Sequence, residues 1–495
     1  MKLAHYLTQL ARHGIVYGTA DFLGKVLGFA LIPVYTRALD PVEFGQLQAL
    51  LTLQTFALMT LSLGQLGTLL RYYTRGDEAG RKQVVSGVGS MIGASTAIFL
   101  VIFVLLGPVL ARAILHDPAK APLFQILALG IGARMISDVA MTILRLQEKS
   151  GRYALYNFLR LLSSLALILY FVLVRDMGLT GAVLGESLSS LGLFLAQAPL
   201  LLRSWGRLPS ASVLREYLVF GLPFLFANLG AVTLQSVDKL LLASYGMLAA
   251  TGVYSLAVKL SSLISVVLLA PFTLVWGPMM YRVDRDHTRE EAQRFFSRML
   301  TYFAVLLYFV GIGIVLFARE VIEVWATPEY AAAKNLVPLL VASAILYGFY
   351  RHLQVGLNLT GRTQILAWSF LAAAVANVIG NALLIPRWGA MGAAVATFAS
   401  YVLMVVLVAR AAYRAYPIRY EWGRLAASGA LAIAICLLLP WLERLDLLPR
   451  IAGKSIALLA YPLLLGSSRF LRPGERAYLV ERWRGWRGRL FGGGA

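Results

Sequence analysis

Uncharged stretches long enough to cross a bilayer dominate the hydrophobic pattern of the chain. They run over residues 44–70, 82–111 (with Lys82 at the boundary), 217–237, 240–258, 260–281, 299–318, 363–386, 388–409 and 425–442. A helix needs about 20 mostly apolar residues to span the hydrocarbon core. Weaker stretches, each holding one or two ionisable residues, fill the gaps near 14–36, 123–144, 153–174, 180–202, 335–358 and 451–467. The pattern predicts an all-α, polytopic membrane protein of about fourteen transmembrane helices.

Composition agrees. Of 495 residues, 59% are apolar and 14% charged, with a mean hydropathy of +0.73. Soluble chains carry about a quarter charged residues. The net charge of +21, from 45 basic and 24 acidic residues, first suggests nucleic acid. Placed along the chain it reads differently. With the N-terminus in the cytoplasm, the tails and even-numbered loops hold 29 Lys and Arg, the odd-numbered loops 9, and 7 lie inside helices. That bias is the positive-inside rule. It predicts a multi-pass protein of the inner (cytoplasmic) membrane with both termini cytoplasmic, and the scattered charge excludes a nucleic-acid partner. The first stretch contains Asp21 and Lys25 and has no small-x-small cleavage site, so it is read as a retained helix. The single cysteine, Cys436, permits no intramolecular disulfide, and the five histidines show no metal-ligand spacing. No metal and no cofactor is expected.

An internal repeat organises the chain. Gly151-Arg152, an apolar helix and Gly178-Leu-Thr-Gly181 recur as Gly361-Arg362, a helix and Gly389-Ala-Met-Gly392, displaced by 210 and 211 residues. Pro41-Val-Glu-Phe-Gly45 matches Leu248-Ala-Ala-Thr-Gly252 at a displacement of 207. Each half holds an even number of helices, so both enter the membrane in the same direction. Parallel repeats place a substrate site between them near the midplane. The expected division is an N-terminal lobe over 1–203, a second lobe over 204–412, an accessory helix pair over 413–467 and a basic cytoplasmic tail over 468–495. The tail, from Arg469 to Phe491, interleaves Arg with Tyr478, Leu479, Trp483 and Trp486, and reads equally as a surface helix on anionic lipid or a topology anchor.

Ten ionisable residues fall well within the spans: six cations, Lys25, Arg134, Arg160, Lys239, Lys259 and Arg351, and four anions, Asp21, Asp138, Glu186 and Asp238. Each costs about 3 kcal/mol at a helix centre on insertion scales, so such residues normally face a bundle interior or watery cavity. Helical phase supports a polar chamber. Asp21 and Lys25 continue a stripe with Gly14, Gly18 and Gly28; Asn228, Ala231, Gln235 and Asp238 form another. Tyr347, Arg351, Gln354 and Asn358, and Tyr153, Asn157, Arg160 and Ser164, form two more. Asp21 with Lys25, and Arg134 with Asp138, read equally as i,i+4 pairs that neutralise each other. The excess of about two cations favours a doubly charged phosphate or pyrophosphate over a cationic substrate. Lys25, Arg134, Arg160, Lys239, Lys259, Arg351, Gln354 and Asn228 are the candidate substrate-binding residues, and Asp21, Asp138, Glu186 and Asp238 the candidates for ion coupling. Asp284-Arg-Asp286 imitates a glycosyltransferase metal motif but sits in too short a loop, and the chain has no P-loop to use ATP directly.

Several of these segments carry a resemblance. Gly18-Thr-Ala-Asp-Phe-Leu-Gly-Lys25 with Ile32-Pro-Val-Tyr-Thr-Arg-Ala-Leu-Asp-Pro-Val-Glu-Phe-Gly45 resembles the opening of bacterial polysaccharide flippases of the Wzx type. Ser236-Val-Asp-Lys-Leu, Gly252-Val-Tyr-Ser-Leu-Ala-Val-Lys-Leu260 and Gly356-Leu-Asn-Leu-Thr-Gly-Arg-Thr363 are similar to later segments of that family, within the multidrug/oligosaccharidyl-lipid/polysaccharide exporter superfamily. The likeness covers about residues 10–420. It implies two six-helix lobes plus a terminal helix pair, alternating access, and movement of undecaprenyl-diphosphate-linked oligosaccharide to the outer leaflet for O-antigen, capsule or exopolysaccharide. It also implies cavity roles for Lys25, Lys239 and Lys259. The expected partners are this lipid-linked substrate, membrane lipids, Na+ or H+ as coupling ion, and a polysaccharide polymerase or ligase. A cation-coupled multidrug antiporter of the same superfamily is the alternative. A membrane polymerase or ligase is a further one, against which the short outer loops speak.

Overall fold

The computed structural model describes residues 28–74, 77–467 and 470, and among them it is helical, with no strand. The helices are α1 (Ile32–Ala38), α2 (Pro41–Leu61), α3 (Gln65–Tyr73), α4 (Glu78–Leu110), α5 (Ala121–Leu146), α6 (Ser150–Leu169), α7 (Gly178–Ser204) and α8 (Ala211–Ser244). They continue as α9 (Leu248–Ser261), α10 (Ala270–Asp286), α11 (Arg289–Trp325), α12 (Val337–Leu353), α13 (Val355–Leu359), α14 (Thr363–Ala415), α15 (Trp422–Cys436), α16 (Leu439–Leu442) and α17 (Leu447–Ser467). Ten continuous helical stretches are long and apolar enough to cross a membrane, and two bent pairs raise this to twelve. The 53 residues of α14 would extend about 80 Å, more than twice a hydrocarbon core. Gly389, at φ 54°, breaks it into two spans. The described residues therefore hold up to thirteen spans, and the first predicted stretch, 14–36, lies largely outside them.

Local chemistry sets the boundaries. Asp40 caps α2 by accepting from the Glu43 amide at 2.7 Å, with Pro41 in the first turn. Thr288 and Glu291 form a reciprocal capping box at the start of α11. One expectation needs correction. The charge scan separates 217–237 from 240–258 at Asp238 and Lys239, yet α8 runs through both to Ser244. The turn falls instead at Tyr245–Met247, where Gly246 takes φ 79°. A charge interrupts an apolar run without ending a helix when the surrounding fold supplies it with partners. Outward faces are apolar: Leu105, Val174 and Trp368 are 72%, 71% and 69% exposed, as lipid-facing side chains must be.

The chain divides into two compact units. The first comprises residues up to 259 with 321–340 and 364–407. Its helices approach closely: a Cβ on Gly130 of α5 would lie 2.5 Å from Ser187 Oγ of α7. The starts of α2 and α9 meet more closely still. A Cβ on Gly45 would lie 1.9 Å from the Leu248 carbonyl oxygen, and one on Gly252 would lie 2.1 Å from the Pro41 carbonyl oxygen. Nearby, Thr36 Oγ1 and Arg37 Nη2 cap the end of α11 at the carbonyls of Trp325 (2.7 Å) and Val324 (2.6 Å). Tyr330 Oη returns the favour at the Leu39 carbonyl, 3.0 Å away.

The second unit comprises 260–320, 341–363 and the chain from 408 onward. Ile312 and Leu316 of α11 pack with Ala432 of α15 and Tyr461 of α17. One ion cluster joins α11 to α17: Lys454 Nζ donates to both Glu320 carboxylate oxygens at 2.8 and 2.9 Å, and Arg450 Nε lies 2.9 Å from one of them. Lys454 is fully buried.

Candidate functional site

Three helices of the first unit each turn one polar stripe toward a common space. On α5, Arg134, Asp138, Met141 and Arg145 recur at spacings of four, three and four. On α6, Tyr153, Asn157 and Arg160 share a face, and on α7 Glu186 lies one turn before Ser190. Small residues let the backbones approach while the long side chains project into the gap. The result is a cavity of about 200 Å³ whose wall includes Arg134, Arg145, Arg160, Asp138, Tyr153 and Asn157.

Two of the arginines are fixed by neutral or acidic partners. Arg134 Nη1 reaches Glu186 Oε1 at 3.2 Å, and Ser164 Oγ donates to Oε2 of the same carboxylate at 2.6 Å. Arg160 Nη2 donates to Asn157 Oδ1 at 2.9 Å. Arg145 lies over the Tyr153 ring, 5.6 Å from its centroid. Three guanidinium groups thus face two carboxylates, one of which is already engaged, so the site keeps a positive excess. Arg134 Nε and Ser137 Oγ are buried without a hydrogen-bond partner. Fixed cations around a small closed space can hold and orient an anion; they supply no bond-making step.

A second cavity of about 450 Å³ adjoins the first, sharing Leu66, Arg134 and Asp138. Its wall adds Gln54, Thr55, Ser62 and Asn228 together with Met59, Met135 and Phe224. Mixed polar and apolar lining of this kind suits a sugar, whose hydroxyls need hydrogen bonds and whose ring faces are apolar. It forms where the α2–α3 segment bends by 44° at Leu63 and Gly64, both at positive φ. Gln65 Nε2 and Thr68 Oγ1 tie this bend to α8 by donating to the Tyr217 carbonyl.

The sequence-derived candidates separate into groups. Arg134, Arg160 and Asp138 share the arginine cavity, Glu186 supports it, and Asn228 lines the larger chamber. The proposed local pairing of Arg134 with Asp138 gives way to a pairing between helices, Arg134 with Glu186. Asp238, 3% exposed, belongs to another cluster, accepting from Tyr254 Oη, the Lys239 amide at 2.8 Å and Thr397 Oγ1 at 3.5 Å. Asn377 donates to Thr397 and Asn381 to Asn377, so carboxylate, hydroxyl and amide oxygens gather there. Lys239 and Lys259 are half-buried on α8 and α9. Arg351 and Gln354 belong to the second unit, where Gln354 Nε2 donates to the Arg351 carbonyl. Asp21 and Lys25 lie outside the described residues. Arg145 and Lys454 were not singled out in the sequence. Arg145 reads as an ordinary loop-edge cation until its spacing from Arg134 and Asp138 is followed, and the acidic partner of Lys454 is 134 residues away.

Comparison with known proteins fits this architecture. The family model described as "Polysaccharide biosynthesis protein" matches residues 10–284. The "Probable low-salt glycan biosynthesis flippase Agl15" of Haloferax volcanii is 21% identical over 423 residues, covering 84% of this chain and 86% of that protein. Among solved structures, "Lipid II flippase MurJ, inward closed conformation" superposes with a TM-score of 0.70 at 12% identity, covering 91% of this chain and 98% of that one. An inward-facing multidrug resistance MATE family transporter of the MOP superfamily gives 0.64 at 17% identity, covering 79% and 95%. The chain shares the fold of these solved transporters, and the match over residues 10–284 places it in the polysaccharide biosynthesis protein family.

Proposed function

We propose that the chain is a flippase, and not an enzyme, that moves a polyprenyl-diphosphate-linked oligosaccharide from the cytoplasmic to the outer leaflet of the inner membrane. The observation that carries this reading is the arginine cavity opening onto a roomier, mixed-polarity chamber. Arg134, Arg145 and Arg160 hold the diphosphate through charge-assisted hydrogen bonds, and the chamber by Gln54, Thr55 and Asn228 receives the first sugars. The lipid chain stays in the bilayer. The repeat supports two six-helix lobes, 1–203 and 204–412, moving by alternating access, with 413–467 as an accessory pair. The glycan serves a surface polysaccharide such as O-antigen, capsule or exopolysaccharide, handed on to a polymerase or ligase.

Coupling is assigned to the Asp238 cluster, whose hard oxygen donors suit Na+ or a proton. The decisive experiment follows a labelled lipid-linked oligosaccharide across proteoliposomes. Replacing Arg134, Arg145 or Arg160 by Ala is expected to slow translocation by about tenfold or more, the loss of one charge-assisted contact. Undiminished transport in all three variants overturns the diphosphate assignment. The MATE-like structures favour one rival, a cation-driven drug antiporter. That reading requires export of cationic dyes, whereas the positive cavity predicts none.

A further inference from the structure

The second unit contains a cavity of about 640 Å³ at the start of α11 and the six-residue link between α14 and α15. Its wall includes Arg294, Arg298, Arg419, Glu290, Glu421 and Tyr413. Glu421 is committed elsewhere: Arg424 Nη1 lies 2.7 Å from its Oε2, and Thr301 Oγ1 donates to it at 2.8 Å. Three guanidinium groups are therefore set against one remaining carboxylate, Glu290.

The link does not place Arg419 there by chance of a loose loop. Ser297 Oγ donates to the Arg419 carbonyl at 2.8 Å, and Tyr416 Oη donates to Asp284 at 3.0 Å. Burial, followed by this bond to Asp284, pushes the Tyr416 hydroxyl up to about 12, so it remains a donor throughout the physiological range. Ile418 is 3% exposed and packs with Trp276 and Phe296. A pinned link that brings Arg419 to a wall already carrying Arg294 and Arg298 opposes like charges, and an anion between them relieves that repulsion. Tyr413 and Trp422, 57% and 59% exposed on either side of the link, mark the depth of a membrane interface. The basic-residue count assigns this link to the cytoplasmic face, where anionic lipids concentrate.

We infer that this cavity binds a phosphate group, carried by an anionic phospholipid headgroup or free in the cytoplasm, at Arg294, Arg298 and Arg419. The site is built from residues of the second unit alone and does not depend on the flippase reading. The full chain is reconstituted in nanodiscs of mixed phosphatidylglycerol and phosphatidylcholine, and lipids retained on release are counted by native mass spectrometry. Phosphatidylglycerol is expected to be enriched, and the enrichment to fall by well over tenfold in R294A/R298A/R419A, given the attraction each of the three surface Arg contributes. R294K/R298K/R419K, which keeps the charge, retains most of it and controls for misfolding. In detergent without anionic lipid, inorganic phosphate is the second arm. A rise in Tm with phosphate in the wild type but not the Ala variant, without phosphatidylglycerol enrichment, assigns the site to soluble phosphate. If neither lipid retention nor the phosphate response differs between wild type and the Ala variant, the inference is overturned.

Discussion

Arg134 and Glu320 show how differently two charged residues can act within helices of one chain. Arg134 touches one carboxylate, Glu186, at the edge of two cavities, and both side chains keep about a quarter of their surface open. Glu320 is enclosed by two cations, Lys454 and Arg450, and only 14% of its side chain is exposed. Replacing Glu320 by Gln leaves two buried cations without their anion and is expected to destabilise the second unit by about 3 kcal/mol. Thermal unfolding in detergent measures this, and an unchanged Tm shows that the cluster is dispensable. Asp238→Asn belongs to the same scale: it preserves the shape of the Tyr254 and Thr397 network and removes the charge. Its expected effect is loss of gradient-dependent transport with substrate binding retained, separated by assaying binding and flux side by side. Arg134, Glu186 and Asp238 were legible in the sequence because a charge in an apolar run stands out, whereas Glu320 and Lys454 were not singled out. The pairings were legible in neither case: Glu186 lies 52 residues from Arg134 and Lys454 lies 134 from Glu320, separations that helical periodicity does not reach.

At the scale of elements, hydrophobic length located most of the helices, while their interruptions followed backbone chemistry that charge alone does not report. The scan divided the chain at Asp238 and Lys239, but the turn sits at Gly246, because positive φ is easy there and buried Asp238 finds partners. The same chemistry makes the starts of α2 and α9 vulnerable. Both glycines of that contact face backbone, which cannot move aside as a flexible side chain would. Gly45→Val and Gly252→Val are therefore each expected to part the two helix starts. By the basic-residue count both starts lie on the outer face. In a Cys436→Ser background, a cysteine placed at Asn228 should then react faster with an impermeant thiol reagent added outside. Equal reactivity with and without the valine would show that this contact does not seal the chamber. Gly45→Ala, a smaller change, is expected to give a weaker effect of the same sign.

For the whole molecule, orientation rests on 29 basic residues against 9, a signal readable in the sequence without any structure. Cysteines introduced singly at Ser150 and Asp176, again without Cys436, are expected to label from the cytoplasmic and outer sides respectively. Reversed labelling overturns the expected topology and with it the proposed direction of transport. The repeat was also legible, but only as a displacement of 207 to 211 residues; what equivalent segments do in space was not. Gly45 meets the backbone of Leu248, and Gly252 meets that of Pro41. Both relations carry the displacement of 207, so each half offers the other the same surface, as the protomers of a symmetric dimer do. A side chain added at either glycine would meet the backbone of the other helix start, so the two equivalent positions impose one shared constraint on what the contact can accept.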